Sequence, residues 1–160
     1  MTDFVGDAIH LFFYTVNSLV SQSNRKIGDP TVKVFLADDS SVVRERLVAL
    51  LAEIPGIEIV GQAEDAFAAL EAIPVLKPDV VVLDIYMPGS VTGMYVLERM
   101  KSERDAPLII MLTNYSYEQY KKRCLAAGAA YFFDKSNEFE RVPEVLLELL
   151  SNGNNKDSQN

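Results

Sequence analysis

From Thr31 to about Asn152 the chain alternates short apolar runs, rich in β-branched residues, with longer stretches in which apolar residues recur at helical spacing. That alternation is the pattern of repeated βα units. The short runs predict strands at 32–37, 57–62, 79–84, 107–112 and 130–134, and the stretches between and after them predict helices at 40–54, 65–76, 93–104, 116–127 and 138–151. Pro55-Gly56, Lys77-Pro78, Pro88-Gly89, Ala106-Pro107 and Gly128 all fall at the junctions, where turn and helix-ending residues belong. The expected fold class is therefore α/β, a doubly wound five-stranded parallel sheet.

Two segments lie outside that rhythm. Val5, Ile9, Phe12, Val16 and Leu19 form a helical stripe of about two heptads, so residues 1–30 are expected to be an amphipathic helix and a linker. Leu11-Phe12-Phe13-Tyr14 widens its apolar side, while Asp7, His10 and Asn17 keep it short of the roughly 18 uninterrupted apolar residues of a spanning helix. A helix this apolar needs cover. Docking on its own domain is the expected use, with self-association and membrane-surface contact as the alternatives. Residues 31–151 make up the domain proper, and the polar residues 152–160 are expected to be a disordered tail.

Composition narrows the setting. At 160 residues, 49% hydrophobic, with mean hydropathy +0.07, the chain has apolar material for one sizeable core and no length for a second. Cys124 is the lone cysteine, and Asp3 and Asp7 stand where a secretory signal would carry positive charge. A cytoplasmic location is expected. The net charge of −8 and pI near 4.6 argue against nucleic acid as a partner, since phosphate-backbone binding wants a positive footprint.

The candidate chemistry sits at the carboxyl ends of the predicted strands, where ligands gather in open parallel sheets. Asp38-Asp39 follows the first run, Asp84 closes the third, Thr113 follows the fourth and Lys135 the fifth. Three carboxylates brought together repel, and the ways out are a raised pKa or a bound cation, of which a hard divalent cation is the simpler. Mg²⁺ suits a partial acidic pocket left open to waters and phosphate oxygens. Asp84 could then attack phosphorus as a carboxylate nucleophile, with Lys135 and Thr113 holding the phosphoryl oxygens. Simpler roles compete: Asp39, ahead of Ser40-Ser41, could do no more than cap the next helix. Asp84 has less use as a cap, because the next helix starts only near Gly93.

These residues and their intervals, 45 from Asp39 to Asp84, 29 on to Thr113 and 22 on to Lys135, resemble a CheY-like response-regulator receiver domain over about residues 32–150. The resemblance implies a flavodoxin-like sheet of order 2-1-3-4-5. It implies that Asp84 is the phosphoacceptor of a sensor histidine kinase or phosphotransfer protein. Asp38, Asp39, Asp84 and the backbone carbonyl of Tyr86 would hold Mg²⁺. It further implies that Thr113 and Phe132 form the switch, that Lys135 pairs with the phosphate, and that Tyr86 and Tyr115 tune its loss. Two positions depart from the family's pattern: Ser136 stands where many members have proline, and Phe132 lacks the hydroxyl of a tyrosine. Since only ten polar residues follow Leu150, the expectation is a stand-alone switch and not an enzyme, acting on a downstream protein through helix 4, strand 5 and helix 5. Lys121-Lys122-Arg123 facing Glu140, Glu144 and Glu148 would suit a homodimer, although charge runs are commonly solvated faces.

Rival readings lack residues. A haloacid-dehalogenase-type phosphatase wants a second acid two residues after the nucleophile, where Tyr86 stands, and no glycine-rich loop of a nucleotide-binding enzyme follows the first strand. His10 has no helical-bundle sequence around it that would make it a phosphotransfer histidine. The alternative that remains is a phosphorylation-independent, receiver-like interaction module.

Overall fold

The computed structural model describes residues 30–157, and the expected N-terminal helix lies outside them. Five strands, β1 (Val32–Ala37), β2 (Ile57–Ala63), β3 (Val80–Leu83), β4 (Leu108–Thr113) and β5 (Tyr131–Asp134), alternate with α1 (Ser41–Ala52), α2 (Ala66–Leu76), α3 (Gly93–Lys101), α4 (Glu118–Ala126) and α5 (Arg141–Asp157). All strand pairs are parallel, and the order is β2-β1-β3-β4-β5. The order reverses between β1 and β3, so the loops leaving those neighbours diverge and open a crevice above their carboxyl ends.

Both sheet faces are covered, and the period-2 alternation of the strands divides the core accordingly. Phe35, Val81, Leu83, Ile109, Met111 and Phe132 pack under α2, α3 and α4. Val34, Leu36, Val80, Val82, Ile110 and Phe133 pack under α1, which contributes Leu47 and Leu51, and under α5, which contributes Val142 and Leu146. Every residue of β3 is buried. A one-residue slip of this strand would swap its two apolar sets between differently shaped layers, so its register, and with it the position of Asp84, is strongly specified.

Several boundaries differ from the sequence expectation for local reasons. α3 stops at Lys101, where Ser102 caps it and its hydroxyl donates back to the Arg99 carbonyl (2.7 Å). α5 starts at Arg141, after a turn in which the Asp134 amide donates to Glu138 Oε2 (3.1 Å) and the Glu138 amide to the Asp134 carbonyl (2.8 Å). Glu140 therefore precedes the helix instead of lying on it. At its other end α5 runs on to Asp157, through residues expected to be a disordered tail. Extending a helix that packing has already nucleated fixes one residue per added hydrogen bond, a far smaller cost than starting one.

Candidate functional site

The acidic loop is set by helix capping. Ser40 is the N-cap of α1, its hydroxyl accepting the Val43 amide (3.3 Å), and Asp38 Oδ1 accepts the Ser40 amide (2.9 Å). Arg44 Nη1, one turn into α1, donates to the Asp38 carbonyl. Since Ser40 does the capping, Asp39 is left exposed and available. Asp84 is the first residue beyond β3, and its amide donates to the Ala37 carbonyl of β1 (2.9 Å), which ties the two acidic loops together.

Lys135 arrives from the far edge of the sheet. Its amide donates to the Thr113 carbonyl (3.0 Å), and its Nζ lies 2.6 Å from Asp38 Oδ2 and 2.9 Å from Asp84 Oδ2. All three of these side chains are buried. Carboxylate oxygens of Asp38, Asp39 and Asp84 lie within 4.8 Å of one another, so one ammonium stands against three acids. Burial pushes the Asp38 carboxyl above its ordinary value despite the bond from Lys135. Burial opposes the charge on Lys135 too, but its two carboxylate partners outweigh that and its pKa is raised.

The oxygens are unequally committed. Both Asp38 oxygens are taken, one by Ser40 and one by Lys135, and Asp84 Oδ2 is held by Lys135. Asp84 Oδ1 is buried with no partner, the one such side-chain atom among the described residues. A buried carboxylate oxygen without a donor costs about 1–3 kcal/mol or more. That orphan, with exposed Asp39 beside it, is the donor set a hard cation takes, so the acidic cluster fits Mg²⁺.

The remaining predicted residues lie on β4, on β5 and on the loops that follow β3 and β4. Thr113 is fully buried as the last residue of β4, and its Oγ1 accepts the Tyr115 amide (3.2 Å). Phe132 lies in the core. The Tyr86 and Tyr115 rings touch, with centroids 4.4 Å apart, and the Tyr86 hydroxyl is 2.7 Å from that of Tyr120, whose part no spacing in the sequence signalled. Ser136 donates its amide to Asp134 Oδ1 (2.7 Å), a bond that a proline at this position could not make. Hydrogen bonds from the Ser116 side chain and then from that amide hold the Asp134 carboxyl below its ordinary pKa.

Gly93 has a role that no sequence motif marks. The first residue of α3, it donates its amide to the Ile85 carbonyl (2.7 Å), and a Cβ there would stand 1.8 Å from the Asp84 carbonyl oxygen. No side chain fits without moving the backbone of Asp84. Gly93→Ala is expected to cost upward of about 1–3 kcal/mol by overpacking. It should also weaken Mg²⁺ binding, because the atom displaced belongs to Asp84. A denaturant midpoint and Mg²⁺ affinity equal to those of the unaltered protein would refute this.

The model of the response regulator receiver domain family matches residues 34–147. The chain belongs to that family. Receiver domains bind Mg²⁺ in such an acidic pocket and work with histidine kinases or phosphotransfer proteins and with downstream targets. This receiver is 38% identical over 120 residues, 74% of its own length, to protein-glutamate methylesterase/protein-glutamine glutaminase 1 of Carboxydothermus hydrogenoformans. It spans only 35% of that relative, and a receiver domain is not itself catalytic. Among solved structures it resembles the response regulator domain of Thermotoga maritima CheB (TM-score 0.66, 29% identity, 76% of this chain and 95% of that one). It also resembles the CheX-CheY-BeF₃-Mg complex of Borrelia burgdorferi (TM-score 0.66, 25% identity, 75% of this chain and 90% of that one). No described helix is long and apolar enough to cross a membrane.

Proposed function

We propose that this receiver is a phosphorylation-operated switch whose acceptor is Asp84, charged by a sensor histidine kinase or a phosphotransfer protein. The observation that carries the reading is the partnerless, buried Asp84 Oδ1 beside an Oδ2 held by Lys135. In the transfer a carboxylate oxygen of Asp84 forms the new bond to phosphorus as the P–N bond of the donor phosphohistidine breaks. The imidazole nitrogen keeps the bonding pair and takes up a proton. Lys135 lies where its ammonium can move from Asp38 to the incoming phosphoryl oxygens, and Thr113 ends the neighbouring strand with its hydroxyl as a second donor. Asp38, Asp39 and Asp84, with the Tyr86 carbonyl, would hold Mg²⁺, which when bound neutralises charge on the phosphoryl oxygens.

The test is the intact mass after incubation with acetyl phosphate, with and without Mg²⁺. A gain of one phosphoryl group that requires the metal is expected. A folded protein that gains nothing would leave the phosphorylation-independent contact module as the reading.

Output is proposed to run through the face made by α4, β5 and α5 to a downstream protein, without an enzymatic step of its own. The homodimer drawn from opposing charge stripes has less support, because its charges are partly spent within the chain. Glu140 pairs with Arg46 (2.7 Å), Glu144 with Arg141 (3.0 Å) and Lys122 with Glu118 (4.0 Å). Exposed pairs of this kind are worth about 0–1 kcal/mol each.

The Tyr86 and Tyr115 rings follow the acceptor and the switch threonine by two residues each, and the bulk of each ring, whether or not the two stay in contact, screens the acyl phosphate from water. Replacing both by alanine is expected to speed phosphate loss severalfold, measured as decay of the phosphorylated mass. Equal decay in the two proteins would remove the screening role.

A further inference from the structure

Four tyrosines cluster on and beside the loop that follows the switch threonine. Tyr115, on that loop, packs against Tyr86 on the acceptor loop. The Tyr86 hydroxyl meets the Tyr120 hydroxyl on α4 at 2.7 Å, with the rings edge-on at 6.0 Å, and Tyr117 lies 6.1 Å from Tyr120. Two neighbouring facts make this arrangement more than surface decoration. The Tyr115 amide is the donor that pins Thr113 Oγ1, so the hydroxyl cannot turn away from its resting position unless that bond breaks or the loop moves. And α4, whose N-cap is Tyr117, has no side-chain capping bond, so its first turn lacks the usual local fastening. The tyrosine contacts supply that fastening from outside the helix.

Resting on the switch reading above, we propose that the Tyr86–Tyr120 hydroxyl bond, with Tyr115 packed behind it, is a latch that holds Thr113 and the start of α4 in the resting arrangement. The latch must open before Thr113 can turn toward a phosphoryl group on Asp84. Opening is cheap in buried surface, since Tyr86 and Tyr115 are 39% and 45% exposed, and there is room for it. A cleft of about 370 Å³ lies beside the bond, lined by Tyr86, Met94, Tyr95, Tyr120 and Arg123 among others. Signal would therefore pass from Asp84 to α4 by two routes, the Thr113 loop and the Tyr86 hydroxyl, that open together.

Tyr86→Phe and Tyr120→Phe each delete one end of the same bond and keep the ring. In the full-length, metal-free protein either variant should speed amide exchange over residues 113–121 by about two- to tenfold, the range expected for one hydrogen bond. Either should also tighten Mg²⁺-dependent binding of beryllofluoride by a similar factor. The double variant should match the singles, because there is only one bond to lose. If the unaltered protein binds no beryllofluoride, the switch reading fails and the latch's regulatory role with it. If it binds, and the singles leave exchange and affinity unchanged or the double variant shows the product of two independent effects, the latch alone is wrong.

Discussion

The Asp84→Asn protein is expected to gain no phosphoryl group from acetyl phosphate and Mg²⁺ under conditions in which the unaltered protein gains one. The carboxamide is close to isosteric, and its oxygen can still accept the Lys135 ammonium that now sits 2.9 Å from Oδ2, so the fold should survive. What disappears is the negatively charged oxygen able to attack phosphorus and one of the three acids of the cation site. The neighbours are poor substitutes. Asp38 has both oxygens committed, to the Ser40 amide and to Lys135. Asp39 is exposed, and among the described residues no cation pairs with it as Lys135 pairs with the other two acids. Intact mass combined with peptide mapping decides the matter. A phosphoryl group that persists in Asp84→Asn and maps to Asp38 or Asp39 would overturn the assignment of the acceptor.

The fold was legible because each strand announces itself twice, by an apolar run and by punctuation after it. Val80 to Leu83 could only be a covered strand, and the placement of Asp84 followed from where that run stops. The cluster was legible for a related reason. In a parallel sheet every strand end points the same way, so acids and a lysine that end strands must converge near the order reversal. Where expectation and structure part, side chains making unforeseen local bonds are responsible. Ser102 ends α3 early, and Glu138 reaches back to the Asp134 amide and delays α5. Sequence spacing could place Lys135 near Asp84, but not show that it also holds Asp38, a contact 97 residues apart in the chain (135 minus 38) that depends on side-chain reach. Tyr120 carried no signal at all. A tyrosine on a short helix looks like any surface aromatic until the 2.7 Å hydroxyl contact with Tyr86 is seen. The pattern predicts a helix from Gly93, as the structure has it, but the close approach of Gly93 to the Asp84 carbonyl is a matter of packing that no pattern records.

Lys135→Ala is expected to be the most destabilising single change at the site, and its cost should depend on both pH and metal. Lys135 bridges two buried carboxylates, and removing one partner of a buried ion pair costs about 3–5 kcal/mol, because the charges left behind are neither paired nor solvated. The sign of the pH dependence follows from the acids. Burial already holds the Asp38 pKa above its unfolded value, and loss of the lysine removes the bond that opposed that rise. A carboxyl whose pKa is higher folded than unfolded favours the folded state at low pH, and that contribution is lost as pH rises through the folded value. The deficit of Lys135→Ala against the unaltered protein should therefore be largest at neutral pH. It should shrink as the solution is acidified toward the ordinary carboxylate range. Mg²⁺ should narrow the same deficit at neutral pH, since a bound cation compensates the acids that the ammonium had served, and a ligand that binds the folded state alone stabilises it by an amount that grows with the logarithm of its concentration above Kd. The unaltered protein should gain less from the metal, because there Lys135 already neutralises part of the charge of the same acids. Denaturant midpoints of both proteins at neutral and mildly acidic pH, with and without Mg²⁺, test all three statements. A deficit that neither acid nor Mg²⁺ narrows would mean that Lys135 stabilises the domain by packing its aliphatic stem and not by holding the two carboxylates.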